Sequence, residues 1–230
     1  MIQQTFDQPI AISRPYDPQN PNHMQLSEPP FLRNNWKRVF ATGEEKYRYV
    51  RILRGVANVT NAHVLLRTKM PGFSDGFYSF GPSGGLVSTE PKQMLGFPDT
   101  ETLRPRAEHM ASSHAIQNEH VHKLVMFADE VIGQDRYKRY DYPEVVLDSQ
   151  GMYARCNSNV FIQFKFPLPF SGDGVAVKAD HLKMALTECL RYDQIFIAHE
   201  NNPDKKCPVF FGVDWDCCAL VETTYHSRKL

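Results

Sequence analysis

The chain has 230 residues, of which 42% are hydrophobic and 12% aromatic, enough for one large packed domain or two small ones. Its 26 basic and 26 acidic residues exclude a uniformly basic nucleic-acid coat and an acidic disordered chain. No run approaches a membrane span, and the N-terminus does not resemble a signal peptide, so we expect a soluble, cytoplasmic protein without membrane contact. The five cysteines lack CxxC spacing and indicate free thiols.

The first regular element that the sequence predicts is an amphipathic helix over residues 31–40, FLRNNWKRVF. Apolar residues recur there at helical spacing, and the intervening positions are polar and mostly basic. The apolar stripe consists of Leu32, Trp36, Val39 and Phe40, and the opposite face of Arg33, Asn34, Lys37 and Arg38. Residues 14–30 and 81–113 are rich in Pro, Gly, Asn and Ser, which predicts loops or insertions.

A second helix is predicted over residues 118–133, with Asn118 as its N-cap and Gly133 as its stop. Its apolar residues recur at i, i+3, i+4 and i+7. His120 and His122 would lie about 200° apart around such a helix, so they cannot bind one metal ion together. The apolar residues are Val121, Leu124, Val125, Ala128, Val131 and Ile132.

The third predicted helix, over residues 180–192, shows the clearest helical pattern of the three and begins at a capping Asp180. Its apolar stripe comprises Leu182, Ala185, Leu186, Cys189 and Leu190. The opposite face is predicted to carry His181, Lys183, Thr187 and Arg191.

Strand candidates follow each helix in groups of three, and a short alternating segment precedes the first and third helices. Strand, helix and three strands therefore form a unit that occurs three times, which predicts an α+β fold with antiparallel sheets. We expect one unit in residues 1–113, with an irregular insertion at 81–113, and a domain of two units in residues 114–230. The strand candidates are 8–13, 47–56, 63–70, 76–80, 143–148, 151–156, 160–166, 174–178, 194–199, 208–214 and 217–224.

A unit of about 60 residues with one helix and a short antiparallel run of strands is similar to the half-domain of the DNA sliding clamps. Two stretches carry the resemblance in more detail: VRILRGV at 50–56, and residues 177–230, which resemble the closing half-domain of the bacterial clamp. Clamps are ring-shaped processivity factors of replicative polymerases, with an even number of half-domains per chain. The sequence departs from this pattern with three units, which bears on whether a ring can close.

The resemblance implies a non-enzymatic protein without cofactors that supports DNA replication or repair. Its partners would be duplex DNA, DNA polymerase or other clamp-binding proteins, and further copies of itself in a homo-oligomeric ring. The helices of a clamp present basic residues to DNA phosphates, which gives sequence-independent, salt-sensitive binding. Equally, basic residues on a helix's polar face can be ordinary solvated surface. The candidates are Arg33, Lys37, Arg38, Lys123, Lys183 and Arg191.

The sequence is also compatible with two other functions. Asp214 and Asp216, together with Glu200, are of the type that holds Mg²⁺ in phosphodiesterases or nucleases. The same aspartates lie between two predicted strands, where a hairpin turn favours them for conformational reasons. The third possibility is a monomeric clamp-fold module of a mobile element that mediates protein interactions.

Overall fold

The computed structural model describes most of the chain from residue 30 to residue 224. The strand predicted at 8–13 and the side chain of Arg33 lie outside the described part. The described residues are 30–81, 85–90, 97–107, 110, 113–134, 143–156, 160–165, 168, 170, 174–200 and 207–224.

The three predicted helices are confirmed, with small changes at their ends. They are α1 (Pro30–Thr42), α2 (Asn118–Gln134) and α3 (Ala179–Cys189). Short 3₁₀ turns lie at Glu45–Tyr47 and Thr100–Leu103. In the part of the chain that is described, no helix is long and apolar enough to cross a membrane.

The strands form two sheets in which every pairing is antiparallel, so the predicted α+β class is confirmed. The larger sheet has the order β5 (Leu86–Ser88), β4 (Gly76–Phe80), β1 (Val50–Leu53), β2 (Val56–Thr60), β3 (Val64–Lys69), β13 (Cys217–Val221), β12 (Val209–Asp214), β11 (Gln194–His199) and β6 (His114–Gln117). The smaller has the order β10 (Val175–Lys178), β7 (Glu144–Asp148), β8 (Gly151–Cys156) and β9 (Val160–Lys165).

The second and third units exchange their first strands. β6 leads into α2 but pairs with β11 of the third unit, whereas β10 leads into α3 but pairs with β7 of the second. The two helices pack against each other above the exchanged strands. We call residues 114–165 and 175–221 the exchange pair, because each completes the sheet of the other.

In the first unit, which consists of α1 and β1 to β5, the strand that pairs with β1 comes from the same unit and not from another one. β4 pairs with β1 in the position that an exchanged strand occupies elsewhere, and the helical residues described in 81–113 form only short turns, at Thr100–Leu103 and at Ala107 and Met110. Phe80 of β4 packs against Phe40 of α1, with ring centroids 5.4 Å apart. The strand β4 therefore covers part of α1, whereas α2 and α3 cover part of each other.

One predicted strand is wrong, and three strands were not predicted. Residues 47–56 do not form one strand, because Arg54 and Gly55 take positive φ angles of 53° and 72° and turn the chain between β1 and β2. Such a turn matches the twist of an antiparallel hairpin. The strands β2, β5 and β6 were missed. β5 has only three residues and lies within the stretch predicted to be a loop, and the four residues of β6 are mostly exposed and show no alternation.

Alternation along the central strands divides their side chains between two faces. Val64, Leu66 and Phe211 point to the main core beneath the helices, and that core continues into the smaller sheet. Leu65 and Phe210 point the other way, into a smaller apolar cluster on what we call the outer face. The helix layer, α1 to α3, therefore covers only one side of the large sheet.

The first unit joins the exchange pair through β3, which pairs with β13, and through α1, which packs on α3. Nε1 of Trp36 donates to Oε2 of Glu188 at 3.0 Å, and the other Glu188 oxygen lies 2.8 Å from the Arg191 guanidinium. The side chain of Asn35 donates to the Met184 carbonyl oxygen at 2.8 Å. Burial raises the pKa of Glu188, against the opposing effects of Arg191 and Trp36.

Replacing Trp36 by phenylalanine tests this contact. Trp36→Phe keeps an aromatic ring but leaves a buried Glu188 oxygen without its donor, which costs about 1–3 kcal/mol. Urea unfolding at pH 7 should show that loss of stability. Asn34→Ala, at an exposed position of the same helix, is the matched control and should change stability by less than about 0.5 kcal/mol. Equal effects of the two substitutions would contradict the assignment.

Candidate functional site

Three of the predicted DNA-binding residues lie exposed in the helix layer. Lys37 and Arg38 are exposed on α1, and Lys123 is exposed on α2. The ammonium group of Lys37 lies 5.5 Å from the centre of the Phe80 ring, so its stem follows the surface of β4 while its charge stays in water.

The other two described candidates are held by acidic neighbours. Lys183 of α3 pairs with Asp129 of α2 and is 21% exposed. Arg191 is mostly buried, where it pairs with Glu188 and donates to the Thr68 hydroxyl. The prediction that Arg191 and His181 lie on a solvent-facing side of the third helix is wrong. Because α3 packs against α1, α2 and the sheet, most of its circumference is covered.

The described side chains that the helix layer presents to solvent carry balanced charge. Among these side chains, which do not include Arg33, four are basic and four are acidic, so together they carry no net charge. A surface of this kind does not steer DNA from a distance, and any phosphate contact depends on where each charge lies. The eight are Lys37, Arg38, Lys123 and Lys183, with Glu119, Asp129, Glu130 and Asp180.

The structure does not bring together the three carboxylates of the predicted Mg²⁺ site. β11 pairs with β12 so that His199 faces Val209, which places Glu200 at one end of β12 and Asp214 at the other. Five residue steps along a strand separate these ends by about 17 Å. Within the described part of the chain, no group of three His, Cys, Asp or Glu residues is arranged to hold a metal ion.

The two aspartates instead support a hairpin turn between β12 and β13, which was the other sequence interpretation. Oδ1 of Asp214 accepts the Asp216 backbone N–H at 2.9 Å, and Oδ2 lies 3.0 Å from the Lys69 ammonium. Partial burial works to raise the pKa of Asp214, but Lys69 and two backbone N–H groups hold it below its ordinary value. Asp216 lies 3.5 Å from the Arg67 guanidinium.

Arg67, which sequence reasoning did not single out, is the centre of the outer face. Its side chain is only 4% exposed and donates to the Trp215 carbonyl oxygen at 2.8 Å and to the Asn58 side chain at 2.8 Å. It also stacks on the Trp215 ring, 4.2 Å from the ring centre. Sequence periodicity does not identify a buried arginine on a strand. Its burial depends on hydrogen-bond partners that are distant in the chain, and a single sequence does not show which residues these are.

The same guanidinium holds the segment that connects the first unit to the exchange pair. Arg67 donates to the Thr100 hydroxyl at 3.0 Å and lies 3.0 Å from a Glu101 oxygen. Trp215 donates to the Glu101 carboxylate at 3.1 Å. Partial burial works to raise the pKa of Glu101, but these two partners lower it below its ordinary value. We call residues 97–107 the strap, because they cross the outer face from β4 to β11.

Beyond Arg67, the strap and the ends of β11 and β12 enclose a pocket of about 270 Å³. Its apolar lining includes Leu103, Ala198 and Phe210, and Leu103 is 40% exposed. Polar and charged side chains also line it, and an Arg106 nitrogen is 3.9 Å from a Glu200 oxygen; these are Thr102, Arg104, Arg106, His199 and Glu200. A pocket with apolar and charged groups side by side suits a peptide side chain.

Known structures share this arrangement of helices and sheets. The DNA polymerase sliding clamp of Caulobacter crescentus superposes with a TM-score of 0.55 and 15% identity, covering 85% of this chain and 63% of that one. For the sliding clamp of Bacillus subtilis the TM-score is 0.53 and the identity 11%, covering 85% and 62%. The DNA polymerase III beta subunit of Thermotoga maritima gives 0.50 and 10%, covering 85% and 64%.

The chain has the sliding-clamp fold. The predicted resemblance is therefore confirmed at the level of fold, which is what identities of 10–15% establish. The chain spans less than two thirds of the length of these clamps. No protein-family model and no curated protein matches the sequence.

Arg67→Met tests whether this residue holds the strap of the clamp fold in place. The substitution preserves the length of the stem but leaves several buried acceptors without a donor, so we expect a loss of at least about 2 kcal/mol. Trypsin should also cut faster after Arg106, which is followed by Ala107, as measured by mass spectrometry at early times.

Lys69→Met is the matched control for this experiment. It lies on the same strand and face, but its side chain is 53% exposed and pairs with Asp214, which is 48% exposed. Removing such a surface pair should cost less than about 0.5 kcal/mol and leave cleavage of the strap unchanged. Unchanged cleavage in Arg67→Met would refute the anchoring role.

Proposed function

We propose that this clamp-fold protein supports DNA replication or repair without catalysing a reaction, as a platform that contacts duplex DNA and partner proteins. The observation that carries the proposal is the fold itself, with three helices on one side of a continuous sheet and a strap and pocket on the other. The two sides would serve two kinds of partner. DNA would meet the helix layer, and proteins, such as a DNA polymerase, would meet the outer face.

We propose Lys37, Arg38, Lys123 and Lys183 as the phosphate contacts. The first three are exposed on helices that share one side of the sheet, and Arg33 belongs to α1 as well. Arg191 is left out because its guanidinium is occupied by Glu188. The balance of the described charges of the layer favours weak, salt-sensitive association, which suits a protein that moves along DNA.

We also propose that residues 114–230 form one clamp-like domain of two units and residues 1–113 a single clamp-like unit with an insertion at 81–113, as the sequence pattern predicts. The exchange of β6 and β10 supports this division, because it binds the second unit to the third. Encirclement of DNA would need several copies of a chain with three helices, so the proposal includes a homo-oligomeric ring.

Two sets of substitutions, which change the charge of the helix layer in opposite directions, test whether this layer contacts DNA. Lys37→Glu with Lys123→Glu should weaken binding to a duplex oligonucleotide at least about tenfold at low salt, and reduce the slope of log K against log salt by about two. Asp129→Asn should strengthen binding, because it releases Lys183 from its ion pair. Fluorescence anisotropy across a salt series measures both.

Arg48→Glu with Arg54→Glu is the control, since it makes the same charge change at exposed positions that do not belong to α1, α2 or α3. If it weakens binding as much as the helix variant, the effect reflects total charge and not the helix layer. If no variant changes salt-dependent retention on DNA, the function is that of a protein-interaction module.

The outer-face pocket is tested with peptides selected from a random display library on the wild-type protein. Leu103→Glu should abolish binding of the selected peptides, because it places a charge in the apolar lining. Val213→Glu is the matched control, since Val213 is 39% exposed but does not line the pocket. Peptides that bind both variants equally would exclude the pocket as the partner site.

A further inference from the structure

Two histidines from different units stack where the first unit meets the exchange pair. His63 lies in the turn between β2 and β3, and His181 lies in the first turn of α3. Their ring centroids are 5.3 Å apart and their planes differ by 12°, so the imidazoles face each other. Neither the clamp-fold comparison nor the proposed DNA contacts assign a role to this pair.

The environments of the two rings differ. The side chain of His63 is 48% exposed, and its Nδ1 lies 2.5 Å from a Glu222 oxygen at the end of β13. The side chain of His181 is only 8% exposed, and its Nε2 lies 4.0 Å from an Asp180 oxygen. One ring is therefore open to protons from solvent, whereas the other is enclosed.

Stacked imidazoles attract when neutral and repel when both carry charge. The charged and titratable groups that act on His181 are Asp180 on α3, Lys178 at the end of β10, His63 from the first unit and Glu222 after β13. Burial lowers the pKa of His181 most, Asp180 and Glu222 oppose this, and His63 and Lys178 add to it.

The sign of the pH effect follows from this lowered pKa. The unfolded chain takes up a proton near the ordinary value of 6.5, whereas the folded chain does so at a lower pH. Below 6.5 the open state therefore binds more protons than the closed state. The contact is at full strength above pH 6.5 and weakens as the pH falls through and below that value.

We infer that the stacked His63 and His181 rings form a pH-sensitive contact that holds the first unit against α3 at neutral pH and opens on acidification. The contact lies beside the β3–β13 pairing, where Val64 faces Val221 and the Glu222 backbone N–H donates to the His63 carbonyl oxygen at 2.8 Å. Opening would loosen one end of the junction between the first unit and the exchange pair.

Amide hydrogen exchange of the full chain tests this inference, with rates corrected for the intrinsic effect of pH. In the wild type, protection of residues 61–64 and 179–184 should fall at least about threefold between pH 7.5 and 5.5. Protection of residues 145–147, in the smaller sheet, should stay constant. In His181→Gln the fall should disappear. His122→Gln, at an exposed position of α2, should behave like the wild type.

His63→Gln provides a second variant in case His181→Gln does not fold. It removes the exposed ring but leaves the buried ring in place, so the fall in protection should be smaller than in the wild type. The inference is overturned if wild-type protection does not depend on pH. It is also overturned if the dependence persists in full in whichever of these two variants folds.

Discussion

The pairing of β3 with β13 is the constraint on which the rest of the structure depends. It joins the five strands of the first unit to β6, β11, β12 and β13 of the exchange pair in one nine-stranded sheet, so that neither unit leaves this edge unpaired. Buried polar groups meet on both sides of the pairing: Glu188 with Arg191 on the helix side, and Arg67 on the outer face. Each is satisfied only when the units are joined, because its partners come from different units.

Strand exchange makes the second half of the chain a rigid support for both faces. Because β6 and β10 each complete a sheet in the other unit, neither can leave without exposing backbone groups. The helix layer and the strap are therefore held at fixed positions across one sheet. Such a scaffold suits a protein whose work is to hold two partners at once, which is the function that we propose.

Helices and fold class were predictable from the sequence because their signal is local. In α1 and α2, residues such as Trp36 and Leu124 recur at helical spacing, and the structure buries them. The candidate site was predictable only in part. Lys37, Arg38 and Lys123 lie exposed where the pattern places them, but Arg67, Glu188 and Arg191 have partners that are distant in the chain. Their roles depend on contacts that no local pattern records.

The sequence by itself determined the three amphipathic helices, the antiparallel class and the resemblance to clamps, because a helix or strand with one apolar side must repeat that side at its own period. Only the tertiary structure decided which unit gives a strand to which, that Asp214 and Glu200 lie at opposite ends of β12, and that Arg191 faces inward. The reason is physical. Burial and pairing of a polar group depend on the element packed against it, and that element lies elsewhere in the chain.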